Sequence, residues 1–194
     1  TCHNCDSTFQ MHTFKRKGKA ERDYVMPEQT TVGQLDSKIV DWFKTRGISE
    51  QTLKDVKVGV GKEFMPQTGK TENTIQFNYK GAEKVFYNID NIVGHDECII
   101  VEGEMDVLAL HEAGIKNAIS VPNGATLNSN NLDYLDNCID YFEDKKKIII
   151  AVDNDPPGLA LQAELIRRLG AETCYLVTFD DCKDANEYLL KYSA

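Results

Sequence analysis

The stretch Ile148-Ile149-Ile150-Ala151-Val152-Asp153-Asn154-Asp155-Pro156-Pro157-Gly158 decides how the rest of this 194-residue chain is read. It opens on a short continuous apolar run dominated by β-branched residues. Such a run reads as a strand buried on both faces, as in a parallel sheet. It closes on Asp-x-Asp, and the proline pair that follows suits the first turn of a helix. An earlier stretch has the same plan: Ile99-Ile100-Val101-Glu102-Gly103-Glu104-Met105-Asp106. A third, Cys182-Lys183-Asp184-Ala185-Asn186-Glu187, adds a late acid. Each carboxylate group then lies at the carboxyl end of its strand, the edge at which open α/β sheets bind ligands. Glu102, Asp153 and Asp155 are expected to converge there, with Asp184 arriving from the next loop.

Carboxylates gathered in a small space repel, and without a cation some of them must take up protons. Hard oxygen donors with no His or Cys among them point to Mg²⁺ or Mn²⁺ rather than zinc. An isolated Asp-x-Asp is common in surface turns, and a Glu-Gly after a strand is weak alone. Both together, each ending an Ile/Val run in one α/β stretch, point to a divalent-ion site that faces phosphates.

Working outward, alternation of strands and helices runs from Glu97 onward. Strands are expected at Cys98–Val101, Ala118–Val121, Ile148–Val152 and Thr173–Thr178. Helices are expected at Glu104–Ala113, Asn131–Glu143, Pro156–Leu169 and Ala185–Lys191. Leu161, Leu165 and Leu169 form an i, i+4, i+8 stripe, and Gly114 and Gly170 stop their helices. Upstream, Asp36–Arg46 reads as a helix with Ile39, Trp42 and Phe43 on its apolar face. Ser49-Glu50-Gln51-Thr52 is a capping-box-like start for a second helix, with Leu53 and Val56 facing the core. Val58–Val60, Thr74–Tyr79 and Lys84–Ile89 read as strands and Gln67–Asn73 as a loop. The organisation expected is residues 1–32 as ribbon remnant and linker, 33–94 as a small α+β subdomain and 95–194 as the α/β unit.

Glu102-Gly103, Asp106 one helical turn later, and Asp153-Asn154-Asp155 together resemble the Toprim domain shared by topoisomerases, primases and some nucleases. Lys183-Asp184-Ala185-Asn186-Glu187 looks like the closing motif of bacteriophage-type primase–helicases and their mitochondrial relative, Twinkle. The resemblance covers about Asp36 to the C-terminus. It implies a Rossmann-like, mainly parallel four-stranded sheet with flanking helices, preceded by a small α+β domain. It also implies a DNA primase core: metal-dependent synthesis of RNA primers on a single-stranded DNA template from ribonucleoside triphosphates. On that likeness Glu102, Asp153 and Asp155 are catalytic, and the same three with Asp184 bind Mg²⁺ or Mn²⁺. Asp106 and Gly103 support them from behind. Lys183, Lys84, Lys80 and Asn123 are the candidates for nucleotide or phosphate contact. Asn186 is a weaker candidate that caps the last helix, and Glu104 and Glu187 read as solvated helix-start acids. Where the family usually has a further strand and a Lys- and Arg-rich loop after Tyr79-Lys80, Lys80 here runs directly into Gly81-Ala82-Glu83-Lys84, which reads either as a short hairpin or as a junction at which residues are missing from the numbered chain.

Cys2-His3-Asn4-Cys5 is half of a zinc ribbon, and zinc is expected only where a complete N-terminal ribbon supplies the second pair. The resemblance further implies that this chain is a piece of a larger protein with a C-terminal hexameric helicase, working in a cytoplasmic bacterial or phage replisome. Two other readings use the same acids: a Toprim nuclease that hydrolyses phosphodiesters, and a non-catalytic Toprim module of a replicative helicase. A topoisomerase would need a tyrosine-bearing cleavage domain for which this length leaves no room.

Composition is consistent with these expectations. Hydrophobic residues make up 41% and charged residues 27% of the chain, enough for a real core in water. No apolar run reaches bilayer length, so no membrane partner is expected. The six cysteines, Cys2 and Cys5 apart, fall in or beside predicted elements at no regular spacing, as packed, reduced thiols do. Net charge is −9, which argues against a simple polyanion-binding module. Residues 1–46 carry 8 basic and 6 acidic side chains and the remainder 14 and 25, so the acids concentrate where a cation is expected.

Overall fold

The computed structural model describes residues 35–77, 84–122, 124–125 and 132–192. The described chain begins with two short helices. In α1 (Ser37–Thr45) Asp36 is the N-cap, its carboxylate accepting the Lys38 N–H, and Gly47 just beyond adopts φ +74°, which favours glycine. In α2 (Glu50–Asp55) the Ser49 hydroxyl accepts the Thr52 N–H, as the capping pattern predicts. Phe43, Leu53 and Val56 are buried. Trp42 is the exception to the expected stripe. It is 46% exposed, and Val40 takes the inward position beside Phe43.

An antiparallel hairpin follows, β1 (Gly59–Met65) with β2 (Lys70–Gln76), registered from Gly59 opposite Gln76 to Met65 opposite Lys70. The expected loop at Gln67–Asn73 is therefore mostly strand. Alternating polar residues here sit on a ribbon largely open to solvent, so no apolar periodicity marks it. Lys84–Ile89, expected as a strand, makes only an isolated antiparallel bridge between Tyr87 and Ser120, then turns into a 3₁₀ helix at Ile89–Ile92. Asn88 there adopts φ 64°, which breaks an extended run.

The centre is a four-stranded parallel sheet in the order β4-β3-β5-β6. Its strands are β3 (Glu97–Val101), β4 (Ala118–Ser120), β5 (Lys147–Ile150) and β6 (Cys174–Leu176). The helices are α3 (Glu104–Glu112), α4 (Asp133–Cys138), α5 (Pro156–Leu169) and α6 (Ala185–Tyr192). A 3₁₀ turn at Ile139–Phe142 ends the helical stretch expected at Asn131–Glu143.

Side chains alternate across each strand, and the two faces of the sheet carry separate cores. Cys98, Ile100, Ile148 and Ile150 pack with Leu132, Leu135, Leu161 and Leu165 from α4, α5 and the approach to α4. Val101, with Ile99 partly buried beside it, packs with Val107 and Leu108 of α3 and with Phe43, Leu53 and Val56 from α1, α2 and the residue after α2. The N-terminal helices thus complete one face of the sheet. Polar contacts reinforce that seam. Glu112 accepts the Ser49 N–H at 3.1 Å, the Ser49 hydroxyl at 2.9 Å and the Thr52 hydroxyl. His111, buried in the same seam, stands 3.4 Å from Asp55. Cys98, Cys138 and Cys182 are buried thiols and Cys174 is half-buried. No helix among the described residues is long and apolar enough to cross a membrane.

Candidate active site

Parallel pairing of β3 with β5 in the register Ile100 to Ile150 brings the ends of both strands to one rim. Glu102 follows β3, and Asp153 and Asp155 follow β5. The half-buried Glu102 carboxylate accepts the Ala125 N–H at 3.1 Å through Oε1, while its buried Oε2 has no hydrogen-bond partner among the described residues. Burial, reinforced by the charges of Asp153 and Asp155, holds this carboxyl above its ordinary range against the opposing Ala125 bond. Glu102 and the Asp153/Asp155 pair therefore share one electrostatic neighbourhood.

Asp153 is buried, and its Oδ2 pairs with the Lys183 ammonium at 3.0 Å. Burial and the charges of Asp184 and Asp155 push its carboxyl up, and the lysine pulls the other way. The backbone under Asp153 is fixed by Gly158 of α5. A Cβ at that position would come within 2.2 Å of the Asp153 carbonyl oxygen, so only glycine lets the helix seat against the strand end. Asp155 caps α5, its Oδ1 accepting the Gly158 N–H at 3.0 Å.

Asp184 caps α6, its Oδ1 accepting the Glu187 N–H at 2.7 Å. The Glu187 carboxylate returns to the Lys183 N–H, also at 2.7 Å. Glu187 is an exposed acid in the first turn of α6, as expected, and it also reaches back to the residue before the cap. Asp106 lies deeper. Its Oδ1 accepts the N–H groups of Ala185 at 3.1 Å and Asn186 at 3.4 Å, and its Oδ2 accepts that of Gly103 at 3.3 Å. It ties the Glu102-Gly103 turn to the Lys183–Asn186 loop. Burial, then the charges of Asp184 and Asp153, push its carboxyl up to about 7 despite those bonds.

Gly103 is extended, with φ −126°, and the missing side chain leaves room beside Asp106 Oδ2. Lys84 is exposed and forms no ion pair with the rim acids among the described residues. Its carbonyl instead accepts the Asn137 side-chain amide at 2.9 Å. Cys2, Cys5, Lys80 and Asn123 lie outside the described residues, as does the junction of Lys80 with Gly81. Two participants carried no sequence signal. The Gly158 contact depends on how α5 docks. Arg46, the residue after α1, exchanges hydrogen bonds with Asn186 across 140 residues of sequence.

Among the described residues no three His, Cys, Asp or Glu side chains stand close enough to hold a metal ion by themselves. The donor set still suits a hard divalent ion. Mg²⁺ keeps several waters and is bound through one or two carboxylates plus substrate phosphates. A buried Glu102 oxygen with no partner among the described residues, beside mutually repelling aspartates, is what such an ion would relieve.

A sheet of this order with acids at its carboxyl rim is the Toprim arrangement, and residues 99–189 match the Toprim-like family model. The chain therefore carries a Toprim-like domain. Its relatives include a primase homolog protein of Arabidopsis thaliana, 36% identical over 211 residues, covering 89% of this chain and 60% of the relative. The Twinkle homolog of the same plant, chloroplastic and mitochondrial by name, is 33% identical over 204 residues, covering 89% of this chain and 29% of that protein. The chain thus spans under two thirds of the curated relatives it matches. In fold it is similar to the primase fragment of the bacteriophage T7 primase-helicase, with a TM-score of 0.60 at 24% identity, covering 76% of this chain and 67% of the other.

Proposed function

We propose that this chain is the catalytic core of a DNA primase, joining ribonucleotides on a single-stranded DNA template as part of a larger primase–helicase. The observation that carries this reading is the set of rim acids, Glu102, Asp153, Asp155 and Asp184, within a chain that is related over most of its length to a primase homolog. The same reading assigns 33–94 to the subdomain that precedes the Toprim unit at 95–194.

In the reaction a primer 3′-hydroxyl attacks the α-phosphate of a nucleoside triphosphate. A new O–P bond forms, pyrophosphate leaves, and the hydroxyl proton must be taken up. Glu102, whose buried Oε2 has no hydrogen-bond partner among the described residues, would accept that proton or hold an ion. Asp153, Asp155 and Asp184 would hold Mg²⁺ or Mn²⁺, which when bound neutralises phosphate charge and lowers the pKa of a coordinated hydroxyl. Lys183, exposed and paired with Asp153, exchanges that partner for a phosphate as the nucleotide arrives. Asp106 keeps the Glu102 turn and the Lys183 loop in register.

The test is template-directed ribonucleotide incorporation with Mg²⁺ or Mn²⁺, compared between the parent chain and Asp153→Ala. Incorporation that needs the ion and is lost in the variant is the expected result. Robust incorporation by Asp153→Ala overturns the assignment, and cleavage of DNA without incorporation moves it to a Toprim nuclease.

A further inference from the structure

Asn186 is 1% exposed, and its side-chain oxygen, side-chain amide and backbone N–H all have partners. Its side-chain oxygen accepts Arg46 Nε–H at 2.7 Å, and its side-chain amide donates to the Arg46 carbonyl at 2.9 Å. Its backbone N–H donates to Asp106 Oδ1 at 3.4 Å. The loop it terminates is the one that presents Lys183 to Asp153 and Asp184 to the rim. The end of α1 is therefore bolted by a two-way bracket to the one rim segment that does not follow directly from a strand of the sheet. Strand ends are held by ladder bonds and core packing. The 182–186 segment is held by this bracket, the Asp106 bonds, the Lys183–Asp153 pair, the Cys182 N–H bond to the Phe179 carbonyl and the burial of Ala185 in the core beside Val107, and of these the bracket alone ties it to α1.

We infer that Arg46 and Asn186 are positioning residues for the proposed polymerisation: α1, in the N-terminal subdomain, sets where Lys183 and Asp184 stand relative to Asp153. This deepens the primase reading and rests on it. The seam between α2 and α3 supplies the control, because Glu112 fastens the same subdomain to the sheet without touching the loop.

The experiment uses the whole 194-residue chain. Arg46→Ala removes one bond of the bracket and Asn186→Ala removes both side-chain bonds. Arg46→Lys restores a donor, since the carbonyl that accepts from Asn186 belongs to the backbone. Small misplacements of reacting groups cost on the order of a hundredfold in rate. Expected kcat losses for nucleotide incorporation are about a hundredfold in Asn186→Ala and about tenfold in Arg46→Ala, with partial recovery in Arg46→Lys. The KM for nucleotide moves much less, and Glu112→Ala, even with a larger fall in melting temperature, keeps the parent kcat. If activity instead follows melting temperature across all four variants, the bracket is merely structural and the inference is overturned.

Amide hydrogen exchange separates failure of this inference from failure of the primase reading. With the bracket weakened in Arg46→Ala, exchange at the Ala185 and Asn186 amides should quicken about tenfold while Val107 and Leu108 in α3 keep their protection. That pattern upholds the bracket even in a chain that incorporates no nucleotide. Unchanged protection at Ala185 and Asn186 overturns it.

Discussion

Two clusters of carboxylates in this molecule are built to opposite rules. In the seam between α2 and α3, Glu112 receives three donors from Ser49 and Thr52. These bonds outweigh the effect of burial and draw its carboxyl below the usual range. At the rim, Glu102, Asp106 and Asp153 are each held above their ordinary range by burial and by neighbouring aspartates, although Asp106 accepts three backbone N–H groups and Asp153 pairs with Lys183. A seam needs its charges answered within the protein. A site that works on phosphates keeps them partly unanswered, so that an ion and a substrate complete them. The difference sets the seam, a fastening, apart from the rim, the candidate site.

The most severe way to challenge this contrast is Asp153→Ala. Incorporation should fall at least about a thousandfold, as for groups acting as a unit, while the melting temperature stays near that of the parent. A rim acid that proved essential for folding but not for incorporation would erase the distinction.

The pH dependence of stability should have opposite signs in the two regions. Asp106 titrates at about 7 in the fold against an ordinary value of 3.8, so the folded chain binds its proton more tightly. Its contribution is full below pH 3.8 and is lost as pH rises to about 7. Glu112 is lowered from its ordinary 4.5, so its contribution is full above that pH and is lost as pH falls. In chelator-treated protein, urea unfolding should report a decline on the order of a few kcal/mol from pH 4 to 7, which Asp106→Asn flattens. A decline of the same size in Asp106→Asn would assign it elsewhere.

Gly158→Ala tests whether the rim depends on how α5 seats. A Cβ within 2.2 Å of the Asp153 carbonyl forces backbone movement, and overpacking of this kind costs about 1–3 kcal/mol. Calorimetry should show that loss, and activity should drop further than stability accounts for. The smallest effect is expected for Glu112→Ala, about 1–2 kcal/mol in urea unfolding, with incorporation per folded molecule unchanged.

What could be read from sequence follows the physics of each signal. Continuous Ile/Val runs report burial on both faces, so β3 and β5 and the acids that end them were legible. Side-chain capping is local, so the start of α2 at Ser49 was legible too. The β1–β2 ribbon was underestimated because its strands are largely polar and solvent-facing. Lys84–Ile89 is not a strand because β-propensity alone does not supply a partner, and among the described residues Tyr87 alone of this run bridges to a strand. Trp42 was misplaced because an i+3 position satisfies helical periodicity equally well on either flank of the apolar stripe. Lys183 was picked out by its motif, but its pairing with Asp153 and the Arg46–Asn186 bracket depend on docking between distant segments, which no local pattern encodes.

The shared core between the N-terminal helices and the sheet has a consequence for dissecting this protein. Phe43, Leu53 and Val56 lie directly over Val107 and Leu108 of α3. A minimal piece starting at residue 95 would keep every rim acid yet lay that oily underside bare. It would associate with itself before it could be assayed, and its silence would say nothing about the chemistry of the acids it still carried.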